Sequence, residues 1–192
     1  MIFLFSFMEC SKEINGSVLE IVMGDITKQN TDAIVNAANN RLTPGGGVSG
    51  AIHRAAGKEL WNECKKLGGC KTGEAKITKG YKLQAKYVIH TVGPVYSKEG
   101  KERSAELLKS CYENSLMLAL QNGIKSISFP AISTGIYGYP TKEAAKIAIK
   151  TIMDFLKENE GIKLVRLVLF TKDAYDIHKK VLEELTQKEA PH

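Results

Sequence analysis

Two glycine-rich segments each follow a predicted strand and precede a predicted helix, and both are suited to binding an anion. The first covers residues 36–57 (NAANNRLTPGGGVSGAIHRAAG), and the second covers residues 131–140 (AISTGIYGYP). Glycine allows main-chain N–H groups to approach a ligand closely, and a helix start adds unpaired donors and a positive dipole end. Because ligands of open α/β sheets bind beyond the carboxyl ends of the strands, the two segments predict one cleft that holds a diphosphate from both sides.

The second segment offers side chains as well as main-chain donors. The hydroxyls of Ser133 and Thr134 and the amide of Gly135 can donate to phosphate oxygens, and Tyr137 presents a flat apolar face beside them. A simple turn is the alternative for either segment alone, and it is less favoured for two such segments in one chain.

The first segment does not fit the common nucleotide-binding fingerprints. Gly45, Gly47 and Gly50 match G-x-G-x-x-G, but residues 37–44 separate them from the preceding strand. In a Rossmann unit the glycines follow the strand directly. The Lys-Thr pair at residues 71–72 follows a cysteine rather than a glycine, so a Walker A loop is also absent.

Two residues at predicted strand ends could contact a purine. Asp25, in the sequence GDIT, can accept a hydrogen bond from an exocyclic amine such as adenine N6, or can cap a turn together with Thr27. Phe170 ends the last predicted strand and could stack on a base, although most aromatic residues in strands belong to the core.

Ser49 and His53 lie four residues apart on the helix that follows the first glycine-rich segment, so they share a face of that helix. No acid is evident to orient His53, and the chain has no G-x-S-x-G elbow, so a hydrolytic dyad is not predicted. A structural hydrogen-bonding role is the main alternative for His53. His90 lies within an apolar strand, and we expect it to be buried and hydrogen-bonded.

Short apolar strands alternate with helices along the chain, which predicts a three-layer α/β/α sandwich of the α/β class with a mixed, mostly parallel central sheet. We expect the first and last of these strands to pair antiparallel. The predicted strands cover residues 18–23, 33–36, 74–78, 87–92, 126–130 and 164–170. The predicted helices cover residues 48–56, a following stretch to 67, 103–121, 140–160, and a last helix capped by Asp173 and ending near Thr186.

The composition is that of one folded domain. The chain has 192 residues, a net charge of +6 and 43% hydrophobic residues. We place the domain at residues 17–186, with terminal extensions at 1–16 and 187–192; the apolar run Met1–Met8 is either a frayed start or an added strand. That run is too short for a membrane span and has no features of a signal peptide, so no membrane partner is expected.

The four cysteines and the lysines further limit the function. No C-x-x-C motif or His pair at metal-binding spacing occurs, so we expect neither zinc nor disulfides and predict a cytoplasmic location. Residues 58–86 contain eight lysines and three glutamates, which form either a solvated face or a surface that attracts nucleic acid or another polyanion.

Taken together, these residues resemble the macro domain family over about residues 18–185. The features HRAAG and GCKTGEAKITKGYKLQAKYVIHTVGP are most similar to its MacroD-type branch. The motifs that carry the resemblance occur in order along the chain: GDIT, AIVNAAN, GGGVSGAIHRAAG, YVIHTVGP and ISTGIYGYP.

The resemblance implies an ADP-ribose-binding domain that usually needs no metal and no cofactor, with ADP-ribose as its ligand or product. It implies that Asp25 and the Ile26 amide hold the adenine, and that Phe170 packs against it. Asn39 would contact the distal ribose, with Tyr137 against the same sugar. The implied phosphate-binding residues are Gly46, Gly47, Val48, Ser133, Thr134, Gly135, Ile136 and Tyr137.

The resemblance also implies an activity, with one departure from the branch. MacroD-type enzymes remove ADP-ribose from acidic side chains of proteins and deacetylate O-acetyl-ADP-ribose. They carry Asp where this chain has Ser49, and that Asp is proposed to help activate the attacking water. Since general-base help contributes about 10²–10⁴-fold, we expect a slow hydrolase that uses Asn39, Ser49 and His53.

Two other readings stay open. One is a reader module that binds ADP-ribose and ADP-ribosylated proteins without turnover, which the Ser49 departure favours. The other is a binder of poly(ADP-ribose) or RNA through the lysines of residues 58–86. The zinc-dependent branch of the family and its paired-glutamate glycohydrolase branch are disfavoured, because their extra ligands and their Glu-Glu motif cannot be placed here. We expect a monomer.

Overall fold

A computed structural model describes residues 10–189 and contains a seven-stranded sheet with helices on both faces. The strands are β1 (Cys10–Ile14), β2 (Ser17–Met23), β3 (Ala33–Ala37), β4 (Ala75–Lys79), β5 (Tyr87–Thr91), β6 (Ser126–Phe129) and β7 (Leu164–Leu169). The helices are α1 (Gly47–Ala56), α2 (Lys58–Cys64), α3 (Tyr96–Glu99), α4 (Lys101–Gln121), α5 (Thr141–Glu158) and α6 (Lys172–Glu189), with 3₁₀ turns at Ile26–Lys28 and Lys65–Leu67.

The sheet has the strand order β1-β2-β7-β6-β3-β5-β4. The five inner strands, from β2 to β5 in that order, pair in parallel, and only the edge pairs β1·β2 and β4·β5 are antiparallel. Because parallel strands point the same way, β6, β3 and β5 end side by side in the middle of the sheet. The two glycine-rich segments follow β3 and β6, so the topology places both segments at the carboxyl ends of the inner strands.

Alternate residues of β3 show why the sheet needs cover on both faces. Ala33 and Val35 belong to the core cluster that packs under α4, α5 and α6. Ile34 belongs to a second cluster, with residues of α1 and α2, on the opposite face. Strand residues alternate between faces, so an uninterrupted apolar strand must be covered by other elements on both faces of the sheet. The predicted three-layer arrangement with a mixed, mostly parallel sheet is confirmed.

Two local predictions are wrong. The first and last predicted strands, now β2 and β7, pair in parallel, with Val18 opposite Leu164; the sheet is mixed because of its edge strands instead. The last helix is capped by Thr171, whose Oγ1 accepts from the Ala174 amide at 3.2 Å. Asp173 lies inside the first turn of that helix, where its charge complements the helix dipole.

The folded structure also extends into both predicted terminal extensions. Strand β1 pairs with β2 along its whole length, and α6 continues to Glu189. The Met1–Met8 run lies outside the described residues. Within residues 10–189, no helix combines the length and apolar character that crossing a bilayer requires.

Candidate ligand-binding cleft

A cavity of about 300 Å³ opens at the carboxyl ends of β6, β3 and β5, and both glycine-rich segments line it. The prediction that the two segments face one cleft is therefore confirmed. No Lys, Arg, Asp or Glu is among the described residues that line it. The lining residues are Ala37, Ala38, Asn39, Gly45, Gly46, Gly47, Val48, Ser49, Gly93, Ala131, Ser133, Gly135, Ile136 and Tyr137.

The first segment is held in shape by Asn39. Its side-chain oxygen accepts from the amides of Arg41 and Thr43, both at 3.1 Å, and its Nδ2 donates to the Thr43 carbonyl at 3.0 Å. The chain then closes against α1 at Gly50, where a Cβ atom would lie 2.4 Å from the Gly45 carbonyl oxygen. This close approach explains why the third glycine of the motif is needed for packing.

The second segment is fixed by its own hydroxyls, in contrast to the predicted role of those groups. Ser133 adopts a left-handed φ of 66°, and its buried hydroxyl donates to the Pro94 carbonyl at 2.9 Å. The Thr134 hydroxyl donates to the Ala131 carbonyl at 2.8 Å, and Thr134 does not line the cleft. Since each hydroxyl has one proton, neither proton is free in this structure, and the phosphate-binding role of Ser133 and Thr134 stays a prediction.

Main-chain donors remain available on both sides of the cleft. At the start of α1, the Gly50 amide is the first to bond within the helix, to Gly46 at 3.2 Å, so the three preceding amides have no helical acceptor. In the second segment, the amides of Gly135, Ile136 and Tyr137 find no acceptor among the described residues. Two groups of N–H donors thus flank an uncharged cavity, which suits an anion with several oxygens.

Gly93 is a site residue that the sequence analysis missed. It follows β5 and lines the cleft, and a Cβ atom there would lie 2.1 Å from the Ser133 Oγ. The only signal in the sequence is a Gly-Pro pair directly after a predicted strand. The distance can be known only once β5 and the second segment are placed beside each other.

Ser49 and His53 do not form a pair with each other. Both side chains are buried, at 5% and 8% exposure, and neither the Ser49 hydroxyl nor either His53 ring nitrogen has a hydrogen-bond partner among the described residues. The interpretation of His53 as a structural hydrogen-bond partner is therefore wrong. Burial lowers the His53 pKa, so the ring is neutral at pH 7. Ser49 lines the cleft, whereas His53 does not.

His90 is the histidine with a structural role, as predicted. It is fully buried in β5, with Nδ1 at 3.1 Å from the Asn36 amide nitrogen and Nε2 at 2.9 Å from the Thr78 hydroxyl. Burial, with a smaller effect of the positive charge that His53 takes up in acid, lowers the pKa of His90 to about 3.

The predicted adenine-binding residues lie next to one another but outside the lining of the cavity. Asp25 caps the 3₁₀ turn, since its Oδ1 accepts from the amide and the hydroxyl of Thr27 at 2.9 and 2.7 Å. These bonds, the hydroxyl first, lower the pKa of Asp25, so the carboxylate is charged. Its Oδ2 has no partner among residues 10–189. The capping interpretation is confirmed for one oxygen, and the other is available for an amine.

Ile26 and Phe170 flank that carboxylate. The Ile26 side chain is buried against the α1 layer, which leaves its amide as the group that could contact a ligand. The Gly24 amide bonds the Leu169 carbonyl at 2.9 Å, so the segments that follow β2 and β7 run side by side. Phe170 is 83% exposed, and its assignment to the core is therefore wrong. An exposed ring beside a free carboxylate oxygen can present both stacking and hydrogen bonding to a purine.

Within the described part of the chain, no cluster of three or more His, Cys, Asp or Glu residues is placed to hold a metal ion. The four cysteines are unpaired, and three of them are buried. The cleft therefore binds through hydrogen bonds and shape, with Ser49 and Tyr137 among the side chains that line it.

A parallel inner sheet that aims two glycine-rich loops into one cleft defines a class of nucleotide-binding α/β domain, and comparison with known proteins identifies the family. The model of the Macro domain family matches residues 35–148. This chain belongs to the macro domain family. It lies in the MacroD-type branch, as its similarity to curated relatives shows.

An O-acetyl-ADP-ribose deacetylase of Salmonella newport is 48% identical over 172 residues, which cover 88% of this chain and 96% of that protein. The ADP-ribose glycohydrolase MACROD2 of Xenopus laevis is 52% identical over 167 residues, covering 86% of this chain and 40% of that longer protein.

Solved structures agree with this placement. The Oceanobacillus iheyensis macrodomain with ADP superimposes with a TM-score of 0.89 at 48% identity, covering 93% of this chain and 96% of that one. The Trypanosoma brucei macrodomain in complex with ADP-ribose gives a TM-score of 0.80 at 45% identity, covering 84% of this chain and 68% of that one.

Proposed function

We propose that this chain binds ADP-ribose and hydrolyses ADP-ribose esters, both on acidic side chains of proteins and in O-acetyl-ADP-ribose. The observation that carries the proposal is the uncharged cleft with unpaired main-chain amides on both sides. A diphosphate placed there would accept from Val48 and its neighbours on one side and from the Gly135–Tyr137 amides on the other. The activities for which the relatives from Salmonella and Xenopus are named, and the ligand of the Trypanosoma structure, support this assignment.

The two ends of the ligand follow from the positions of the flanking residues. Adenine would lie beside Asp25 and the Ile26 amide, with the exposed Phe170 ring against its face. The distal ribose would lie between Asn39 and Tyr137, which line the cleft from the first and the second glycine-rich segment. The Asn39 amide, which already bonds the Thr43 turn, would exchange the Thr43 hydroxyl for a ribose hydroxyl.

The reaction consumes one water and releases ADP-ribose and a free carboxylic acid. The water would be held by a phosphate oxygen and the Ser49 hydroxyl, which has no other partner within residues 10–189, beside the ribose that Asn39 orients. A serine hydroxyl is a poor base at neutral pH, and His53 does not line the cleft, so most of the rate would come from proximity and preorganised donors. We therefore propose a slow enzyme, in which Ser49 takes the place of a carboxylate.

Two measurements test the proposal in turn. Calorimetry should detect binding of ADP-ribose, with much weaker binding of AMP and NAD, because AMP lacks the diphosphate and NAD carries a bulky group on the distal ribose. Mass spectrometry of an ADP-ribosylated glutamate peptide should then show release of ADP-ribose over hours at high enzyme concentration. Absence of heat with ADP-ribose would refute the whole proposal, whereas binding without release would refute only the enzymatic part.

A reader module that binds without turnover is the second candidate, and the Ser49 hydroxyl is the observation that favours it. The Ser49→Asp variant separates the two. A variant that gains activity where the parent has none identifies the parent as a reader. A parent with slow but measurable release, absent from a heat-inactivated sample, identifies an enzyme.

A further inference from the structure

A second cavity, of about 330 Å³, adjoins the first glycine-rich segment. Gly45 lines both cavities, so one residue of main chain separates them. The second cavity also contains Pro44, Trp61, His53, Arg54 and Lys58, which come from the loop before α1 and from α1 and α2.

The charge of this second cavity is unbalanced. Arg54 and Lys58 are exposed, and neither forms an ion pair within the described part of the chain. No Asp or Glu is among the residues that line it. Of the two acids of α2, Glu63 accepts from the Tyr81 hydroxyl at 2.7 Å, and the Glu59 carboxylate lies at the rim of the cavity, against Gly57 and beside Lys82.

The walls of the second cavity combine an aromatic surface with an unsatisfied polar group. Trp61 is partly exposed, and the Lys65 ammonium lies 5.5 Å from the centre of its ring. The His53 ring is 92% buried in the wall, and neither of its nitrogens has a partner within residues 10–189. Two free cations beside an aromatic wall suit a short chain segment that carries carboxylates.

We propose that the second cavity binds the acidic peptide segment that flanks the modified side chain of an ADP-ribosylated protein. The inference rests on the proposed function, because the ester joins the distal ribose in the cleft to the protein part of the substrate. That protein part must leave the cleft past the first glycine-rich segment or past the second. The side at Gly45 leads to Arg54 and Lys58, which would pair with carboxylates next to the modified residue.

Binding measurements with stable ligands test this inference without requiring turnover. Two peptides carry ADP-ribose through a hydrolysis-resistant amide linkage, one with Asp and Glu on both sides and one with Ser and Gln. The acidic peptide should bind the parent about tenfold more tightly than the neutral one, a ratio equal to about 1.4 kcal/mol and within the range for two exposed ion pairs. At about 1 M NaCl, where the Debye length is roughly 3 Å, the preference should disappear.

The double variant Arg54→Ala, Lys58→Ala should bind both peptides equally while its affinity for free ADP-ribose stays within about twofold of the parent. A matched control variant removes two positive charges from the amino ends of the inner strands, opposite the carboxyl ends where the cleft opens. Lys125 and Lys163 precede β6 and β7, are exposed, and form no ion pair within residues 10–189. The control variant Lys125→Ala, Lys163→Ala should keep the preference for the acidic peptide.

Each other result overturns the inference. The inference is wrong if the acidic and neutral peptides bind the parent equally, or if the control variant loses the preference as fully as the Arg54 and Lys58 variant. It is also wrong if the Arg54→Ala, Lys58→Ala variant loses affinity for a single-stranded oligonucleotide but keeps its preference for the acidic peptide. A failure of free ADP-ribose to bind the parent is a different outcome, since it refutes the proposed function itself.

Discussion

Replacement of Gly93 with Ala should displace the second glycine-rich segment, although Gly93 itself lies in the loop that follows β5. The new Cβ would lie 2.1 Å from the Ser133 Oγ and 2.7 Å from the Ile132 Cγ2. A normal contact requires about 3.5 Å, so the Ser133 side chain must move by more than ~1 Å. That movement breaks its hydrogen bond to the Pro94 carbonyl in a buried part of the loop.

The expected cost has two parts. Loss of a buried hydrogen bond destabilises by about 1 kcal/mol, and overpacking adds about 1–3 kcal/mol. The free energy of unfolding should therefore fall by about 2–4 kcal/mol, which lowers Tm by roughly 4–16 °C for a chain of this size. Because the amides of Gly135 and its neighbours move with the loop, affinity for ADP-ribose should fall about tenfold for each donor lost.

Thermal unfolding and calorimetry with ADP-ribose measure the two effects separately. Gly135→Ala is the matched control for stability, since a Cβ there meets nothing within 4 Å and Gly135 is not at a positive φ. Its free energy of unfolding should change by less than about 0.5 kcal/mol. If Gly93→Ala unfolds at the temperature of the parent and binds ADP-ribose equally well, then the close approach of β5 to the second segment does not hold the cleft in shape.

Three further predictions concern single side chains. Ser49→Asp should raise the rate of release from an ADP-ribosylated glutamate peptide by about 10²–10⁴-fold, measured by mass spectrometry; an unchanged rate would show that the water is activated elsewhere. Phe170→Ala should leave Tm unchanged, because the ring is 83% exposed, and should weaken ADP-ribose binding by about 2- to 10-fold through lost stacking; equal affinity would exclude that contact. His90 should destabilise the fold in acid, since its pKa is about 3 when folded and ~6.5 when unfolded: the unfolded chain takes up the proton first as pH falls below 6.5. As pH falls, the free energy of unfolding of the parent should decrease more steeply than that of His90→Gln, by up to about 1.4 kcal/mol per pH unit. Identical slopes for the two proteins would contradict the neutral, buried ring.

The sequence predicts the architecture well because the strands and helices carry strong local signals. The run from Leu164 to Leu169 is apolar and partly β-branched apart from Arg166, and α5 shows a regular apolar stripe, so both could be located within two residues of their observed bounds. Strand direction was harder to predict. The edge strand β1 (CSKEI), which pairs antiparallel with β2, has little apolar character to reveal it, so the antiparallel pair was expected between β2 and β7 instead.

The site was predictable in its location and less so in its atoms. Glycines after β3 and β6 predict a cleft, because both loops then lie at the carboxyl ends of the strands. The roles of Ser133 and Thr134 could not be predicted, since their hydroxyls are used by carbonyls that the folded loop brings near. Gly93 was missed for the same reason, as its importance lies in a distance between two segments separated by about forty residues of chain.

The cleft that lacks charged side chains has a practical consequence for mapping it by mutagenesis. Truncating each polar residue in turn to alanine would leave nearly every proposed phosphate contact in place, because those contacts belong to the peptide units themselves. Damaging substitutions should instead cluster at residues with no side chain at all, where added bulk bends the peptide units away from the ligand. A scan that introduces methyl groups at glycines would therefore outline this site more completely than one that removes functional groups.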